Sequence, residues 1–368
     1  MKYDMQFVDT IFPTAYSTDF RLVNGLPNDF HYWGLLLDVC FPFTIAVAAG
    51  TALPLLSPFS VIERVLVEGN IQGLGKITLV DAPGRTLAAA AALISTRFPH
   101  YKWSVNDPTL IAAKSARFLL PVPFCCSGRM NAAEDMVART LLPGNAFANP
   151  ISVTIRLGPG ASIVTPAGAT TNTIGAVAID VHRVIVRLGV GAEPVGQKYI
   201  VQRAVQGPFA LTANLVAGLI ARLSIGSLYS RLLFQTGVEA VPPLFTVANE
   251  TAITRLYLRQ GPQKTIRDYM YYTSRVAHSW LEGYQPVYPH ITIPAAAPAF
   301  TPLVTENVDG FPALVGTSLL DFCADGHLEE ALNTLIWGAQ GQALELYGNV
   351  VGLANQTVEV YHETLTPR

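Results

Sequence analysis

The chain has 368 residues, half of them hydrophobic and only 14% charged, with 29 Gly and 26 Pro. Few charges beside many strand-forming and turn residues exclude disorder, a coiled coil and a helical bundle. Lys and Arg number 24 against 26 Asp and Glu, a formal net charge of −2, so there is no basic excess for neutralising phosphates. A surface this sparsely charged is poorly protected against association and suits a subunit covered by its neighbours.

Residues 1–14 carry Asp4, Asp9 and Pro13 and no apolar run. They read as an N-terminal arm and do not match a secretory signal. Extended runs follow at 35–46, 60–70 and 76–79, then a weak helical stretch at 86–94 and another extended run at 117–124. In 151–157, Ile151, Val153, Ile155 and Leu157 alternate with Ser152, Thr154 and Arg156, the pattern of a half-buried antiparallel strand. The Gly/Thr-rich stretch 158–175 reads as a seam. Beyond it, Val177, Ile179 and Val181 are apolar at odd positions, then Val184, Val186 and Leu188 at even ones. That change of phase near His182–Arg183 predicts a bulge or a change of sheet partner.

The runs 199–205, 231–235, 344–349 and 356–362 read as further strands. Two segments carry helical spacing. Leu211, Leu215, Val216, Leu219, Ile220 and Leu223 form one stripe, and Ile266, Tyr269, Met270, Thr273 and Val276 form another within 264–278. The segment 209–228 holds Asn214, Gly218 and Arg222, which makes it a buried helix and a poor membrane span. Turns are expected at Asn24-Gly25, at Glu68-Gly69-Asn70, at Gly73-Leu74-Gly75 and at Gly348-Asn349. Residues 363–368 read as a tail beyond the last strand.

Signals for chemistry are weak. The run from Gly189 to Gly196 has the wrong glycine spacing for a dinucleotide loop, and Pro194 sits where the helix should begin. The seven histidines share no metal-type spacing, and Gly316-Thr317-Ser318 lacks the closing glycine of a nucleophile elbow. Asp321, Asp325, Glu329 and Glu330 do not have calcium-loop spacing and read as a charged loop beside a helix start. Asp38, Glu63, Asp180, Glu345 and Glu359 stand in extended runs, but sequence does not pair them as a glycosidase would require. Cys40, Cys125, Cys126 and Cys323 read as reduced, mostly buried thiols. No catalytic, cofactor-binding or metal-binding residue is assigned, and no specific nucleic-acid partner is expected.

The order and spacing of 19–24, 35–46, 60–70, the proline-bearing 117–124 and 151–157, then 178–189, 211–223, 231–235, 344–349 and 358–362, resemble a known family. It is the double jelly-roll major capsid proteins of tailless, membrane-containing icosahedral viruses, the tectivirus-like lineage. The resemblance spans roughly residues 15–365. It implies an all-β fold of two tandem eight-stranded antiparallel jelly rolls with helices inserted in long loops. Their expected limits are 15–160 and 176–368, joined by a linker at 161–175. It further implies homotrimers of pseudo-hexagonal outline tiling a virion shell, with vertex or minor capsid proteins and an internal membrane as partners. The host cytoplasm would be the site of assembly. One departure stands out: the short arm, broken by Pro13, does not match the N-terminal amphipathic helix common in the family. The alternative reading is a tandem β-sandwich binding protein, lectin-like or a receptor-binding spike; an enzyme on this scaffold is the least favoured.

Overall fold

The computed structural model describes residues 2–28, 30–47, 52–54, 58–95, 101–103, 114–126, 133–158, 169–187, 198–238, 253–262, 264–270, 290–292, 303–304, 316–323, 327–352 and 354–368. Strands dominate, and the chain divides into two compact units. The first holds residues 1–201 with 288–308 and 368; the second holds 202–287 with 309–367.

The first unit is built on two main sheets. One runs in the order Lys2–Ile11, Ala178–Arg187, His31–Val47, Lys114–Pro123, Tyr101–Trp103, with Ala169–Ile174 and Leu142–Pro143 also pairing His31–Val47. The other runs Asp19–Arg21, Ser152–Leu157, Ile62–Ile71, Gly75–Ala82. Their pairings are antiparallel. Alternation supplies the core: Leu35, Leu37, Val39 and Phe41 from one sheet, Val65, Val67, Val153 and Ile155 from the other, all fully buried. Phe59 closes on Phe118 edge-to-face at 4.7 Å. The helix Gly84–Ser95 packs against Lys114–Pro123 and Ile62–Ile71, burying Leu87 and an alanine-rich face.

The second unit has two four-stranded runs. One is ordered Tyr199–Ala210, Gln356–Pro367, Leu228–Val238, Thr317–Asp321, and the other Leu215–Leu223, Leu344–Val350, Ile253–Gln260, Lys264–Met270. Each unit is therefore a β-sandwich, and the all-β expectation is met.

Several expectations change. Residues 1–14 are not a loose arm, because Lys2–Ile11 forms the edge strand of a sheet. The strand Ala178–Arg187, expected to open the second roll, pairs inside the first unit, as does Ala169–Ile174. The division between units falls after Val201. The phase change in that strand is real in its burial, yet its backbone carries no extra residue. The bulges lie in its two neighbours, at Val8 and at Trp33. Arg183 and Ile185 continue the inward face begun by Ile179 and Val181. Val186, on the outward face, is apolar because it packs with Val137 and Leu141, at and after the helix Ala133–Thr140.

The helix expected at 211–223 is a strand, Leu215–Leu223. Two register shifts against Leu344–Val350, between Leu215 and Gly218 and between Leu219 and Ala221, reset the two-residue alternation. The apolar positions then imitate a helical stripe. Lys264–Met270 is likewise a strand, formed as a hairpin with Ile253–Gln260 through Gly261, whose φ is +62°; positions 271–278 lie outside the described residues. Its charges are those of an exposed edge strand, which a helical wheel reads as a polar face. Glu68-Gly69-Asn70 is strand, not turn. A side chain at Gly69 would meet the Phe147 ring at 2.2 Å, so glycine is needed there for packing. The turn falls at Gln72–Leu74, with Gly73 and Gly75 at φ +84° and +79°, as the second glycine pair implied. Gly348-Asn349 lies inside the strand Leu344–Val350. The last strand does not stop at His362 but continues through Pro367, so the expected tail is largely sheet.

Candidate functional site

The residues singled out for chemistry are held by structural partners. Asp38 and Asp180 stand directly opposite in register, but Arg117 grips Asp38 with two nitrogens and Thr10 donates to Asp180 at 2.6 Å. Glu345 accepts from Arg222 at 3.0 Å and from the Tyr347 hydroxyl at 3.1 Å. Glu63 and Glu359 occupy separate units. Cys125, Cys126 and Cys323 are buried, as expected, whereas Cys40 is exposed. Burial pushes the Cys323 thiol up to about 12, which makes it a poor nucleophile. Glu329 and Glu330 sit in the short turn of helix Leu328–Glu330, while Asp325 and the 189–196 loop lie outside the described residues. Among the described residues no group of three or more His, Cys, Asp or Glu is arranged to hold a metal. None of their helices is long and apolar enough to cross a membrane.

The densest cluster of buried charge among the described residues gave no motif in the sequence. Glu363, in the strand Gln356–Pro367, accepts from Arg203 at 2.5 Å and from Arg231 at 2.7 Å. It also accepts from the Ser230 hydroxyl at 2.9 Å. Arg231 turns its Nε to Asp321 at 2.9 Å, and Asp321 accepts the Cys323 amide at 2.8 Å. Arg203, Arg231 and Glu363 are at most 2% exposed. Two guanidiniums face two carboxylates, so the group is neutral as a whole. With its acceptors occupied, Glu363 has no proton-transfer role to offer. The cluster ties together Tyr199–Ala210, Gln356–Pro367, Leu228–Val238 and Thr317–Asp321. A signal was present: Arg203 interrupts the run 199–205, Arg231 opens the run 231–235, and Glu363 directly follows the run 356–362.

The remaining chemistry is surface. In the second unit's sheet that contains Ile253–Gln260, Arg255 clasps Asp268 at 2.8 and 2.6 Å, and Arg259 lies over Tyr347 at 4.5 Å and over Tyr257 at 5.2 Å. On the first unit, Tyr3, Met5 and Phe7 are 49%, 59% and 59% exposed on one face of the edge strand. Their register partners Val186 and Val184 are buried, and His182 meets the Phe7 ring edge-on at 5.7 Å. A row of exposed aromatic and thioether side chains on one face of a strand is a surface suited to burial by another chain.

No protein-family model matches the chain, and no curated sequence matches it. Solved structures do. The crystal structure of the STIV MCP aligns with a TM-score of 0.58 and 11% identity, covering 99% of this chain and 96% of that one. A chain of the atomic structure of Sulfolobus Turreted Icosahedral Virus aligns with a TM-score of 0.59 and 12% identity, covering 99% of this chain and 90% of that one. The double jelly-roll fold expected from the sequence is thereby shown.

Proposed function

We propose that this chain is the major capsid protein of an icosahedral virion, acting by assembly and without catalysis. The observation that carries the reading is the end-to-end match of both sandwiches to the STIV MCP, which leaves 1% of this chain and 4% of that one unmatched. The low charge and the exposed apolar edge strand support it physically, because both are costly on a protein that stays alone. The subunit of 39.6 kDa would associate as a homotrimer. Two sandwiches per subunit would then give a closed ring of pseudo-hexagonal outline. Its other partners would be neighbouring capsomers, vertex or minor capsid proteins and, at the capsomer base, a viral membrane. Its place would be the virion, after assembly in the host cytoplasm.

Negative-stain microscopy of the purified chain tests this. Pseudo-hexagonal particles with threefold averages support the reading. Isolated elongated monomers at micromolar concentration contradict it and favour the tandem-sandwich binding protein.

A further inference from the structure

We infer that Arg259 is a binding site for a monoanionic carboxylate, on the face of the second unit's sheet that carries Tyr257 and Tyr347. This site goes beyond the capsid reading and does not depend on it.

Strand pairing assembles the site, because residues directly opposite in an antiparallel pair share a sheet face. Tyr257 stands opposite Tyr347 on one side and Asp268 on the other, and Arg259 stands opposite Glu345. Arg222, from Leu215–Leu223, is opposite Glu345 on its other side. Leu256, Leu258, Leu344 and Leu346, one step along their strands, are buried on the reverse face. With Arg255, the tyrosine face holds three arginines and two carboxylates among the described residues.

Both carboxylates are already engaged. Asp268 accepts from two nitrogens of Arg255 at 2.8 and 2.6 Å. Glu345 accepts from the Arg222 Nε at 3.0 Å and from the Tyr347 hydroxyl at 3.1 Å. Arg259, directly opposite Glu345, lies instead over the Tyr347 and Tyr257 rings. Its Nε is buried and has no acceptor among the described residues.

Stacking on two rings fixes the plane of the guanidinium and strips part of its hydration. The residue as a whole is only half-buried, which leaves the Nη edge to an incoming group. That edge is a fork matched to a carboxylate, and a charge-assisted pair made there gains from the partial desolvation. Charge then selects the class of ligand. Three arginines against two carboxylates leave one positive charge unmatched, which suits a monoanion. Dianionic phosphate would bring a second negative charge beside Glu345 and Asp268 and be repelled.

Phenylglyoxal labelling of the full-length protein, followed arginine by arginine with mass spectrometry, tests the site. One bidentate pair supports a Kd of about 10 mM, so about 20 mM acetate should slow labelling of Arg259 about threefold. Chloride and dianionic phosphate at the same ionic strength should protect Arg259 less. Arg222 and Arg255, already paired, should label alike in acetate and chloride. Tyr257→Leu, which removes one ring, should weaken the acetate effect. Asp268→Asn, which removes one negative charge from the face, should bring phosphate up to the acetate effect. With no acid added, slower labelling of Arg259 as the protein is concentrated would identify a neighbouring copy's carboxylate as the occupant; acetate protection independent of protein concentration would identify a small acid. Labelling of Arg259 that is equal in acetate and chloride at every protein concentration overturns the inference. So does phosphate protection that matches acetate in the unsubstituted protein.

Discussion

Arginine–carboxylate pairs tie neighbouring strands in both units, and two of them stand in opposite settings. In the first unit, Arg64 clasps Asp81 at 2.6 and 2.8 Å across Ile62–Ile71 and Gly75–Ala82, with both side chains about one-third exposed. In the second unit, Arg203, Glu363, Arg231 and Asp321 make bonds of the same length, three of the four almost wholly buried. Water stabilises the separated ions in the first case and screens their attraction. In the second, removing one partner strands a charge in a low-dielectric interior. Similar bond lengths therefore mean different things: the exposed pair adds little to the sheet, whereas the buried group makes losing one partner costly.

The contrast is broken most directly at Glu363. Glu363→Gln should cost about 3–5 kcal/mol, the range for an uncompensated buried charge, read as a fall in urea midpoint at unchanged slope. Deleting residues from Val358 onward should abolish soluble expression, since it removes Glu363 together with a strand paired to Leu228–Val238. If the truncated protein stayed soluble with an unchanged melting temperature, the position of the closing strand would be wrong.

Acid sharpens the same region. Burial holds His362 at about 4, below its ordinary value of 6.5, and its Nδ1 is buried without a hydrogen-bond partner among the described residues. The folded state thus resists a proton that the unfolded chain accepts. Stability from this residue is complete above pH 6.5 and is lost as pH falls toward 4, by up to about 3 kcal/mol. A pH series of urea melts should show that slope, and His362→Gln should flatten it between pH 6.5 and 4. An unchanged slope would show that the ring is not the titrating group.

Smaller effects follow. Removing residues 366–368 loses the Thr366 hydroxyl bond to Gln202 at 2.6 Å and the Arg368 amide bond to the Lys198 carbonyl at 3.0 Å. Two such bonds are worth about 1–2 kcal/mol together, visible as a lower melting temperature in soluble protein. Asp81→Asn should cost less than about 1 kcal/mol and lose even that at high salt. A cost above 2 kcal/mol there would erase the distinction between the two settings.

The same physics explains what the sequence made legible. Strands with one wet face announced themselves, as in 151–157, where alternation and burial coincide residue for residue. The alanine-rich helix Gly84–Ser95 was visible for a similar reason: it has one period and no bulge. The strand Leu215–Leu223 was not, because two register shifts rewrote its pattern into a helical one. The strand Lys2–Ile11 was passed over because its apolar residues point outward, where a search for cores does not look. The buried ion cluster was hidden differently. Arg203, Arg231 and Glu363 are far apart in sequence, and only sheet order brings them together. The proposed capsid role makes subunit number the central quantity.

Light scattering coupled to size exclusion measures it on untagged protein at micromolar concentration. A mass of about 119 kDa, three times the 39.6 kDa subunit, is the predicted result. A mass of 39.6 kDa that persists as concentration rises would contradict the assembly reading.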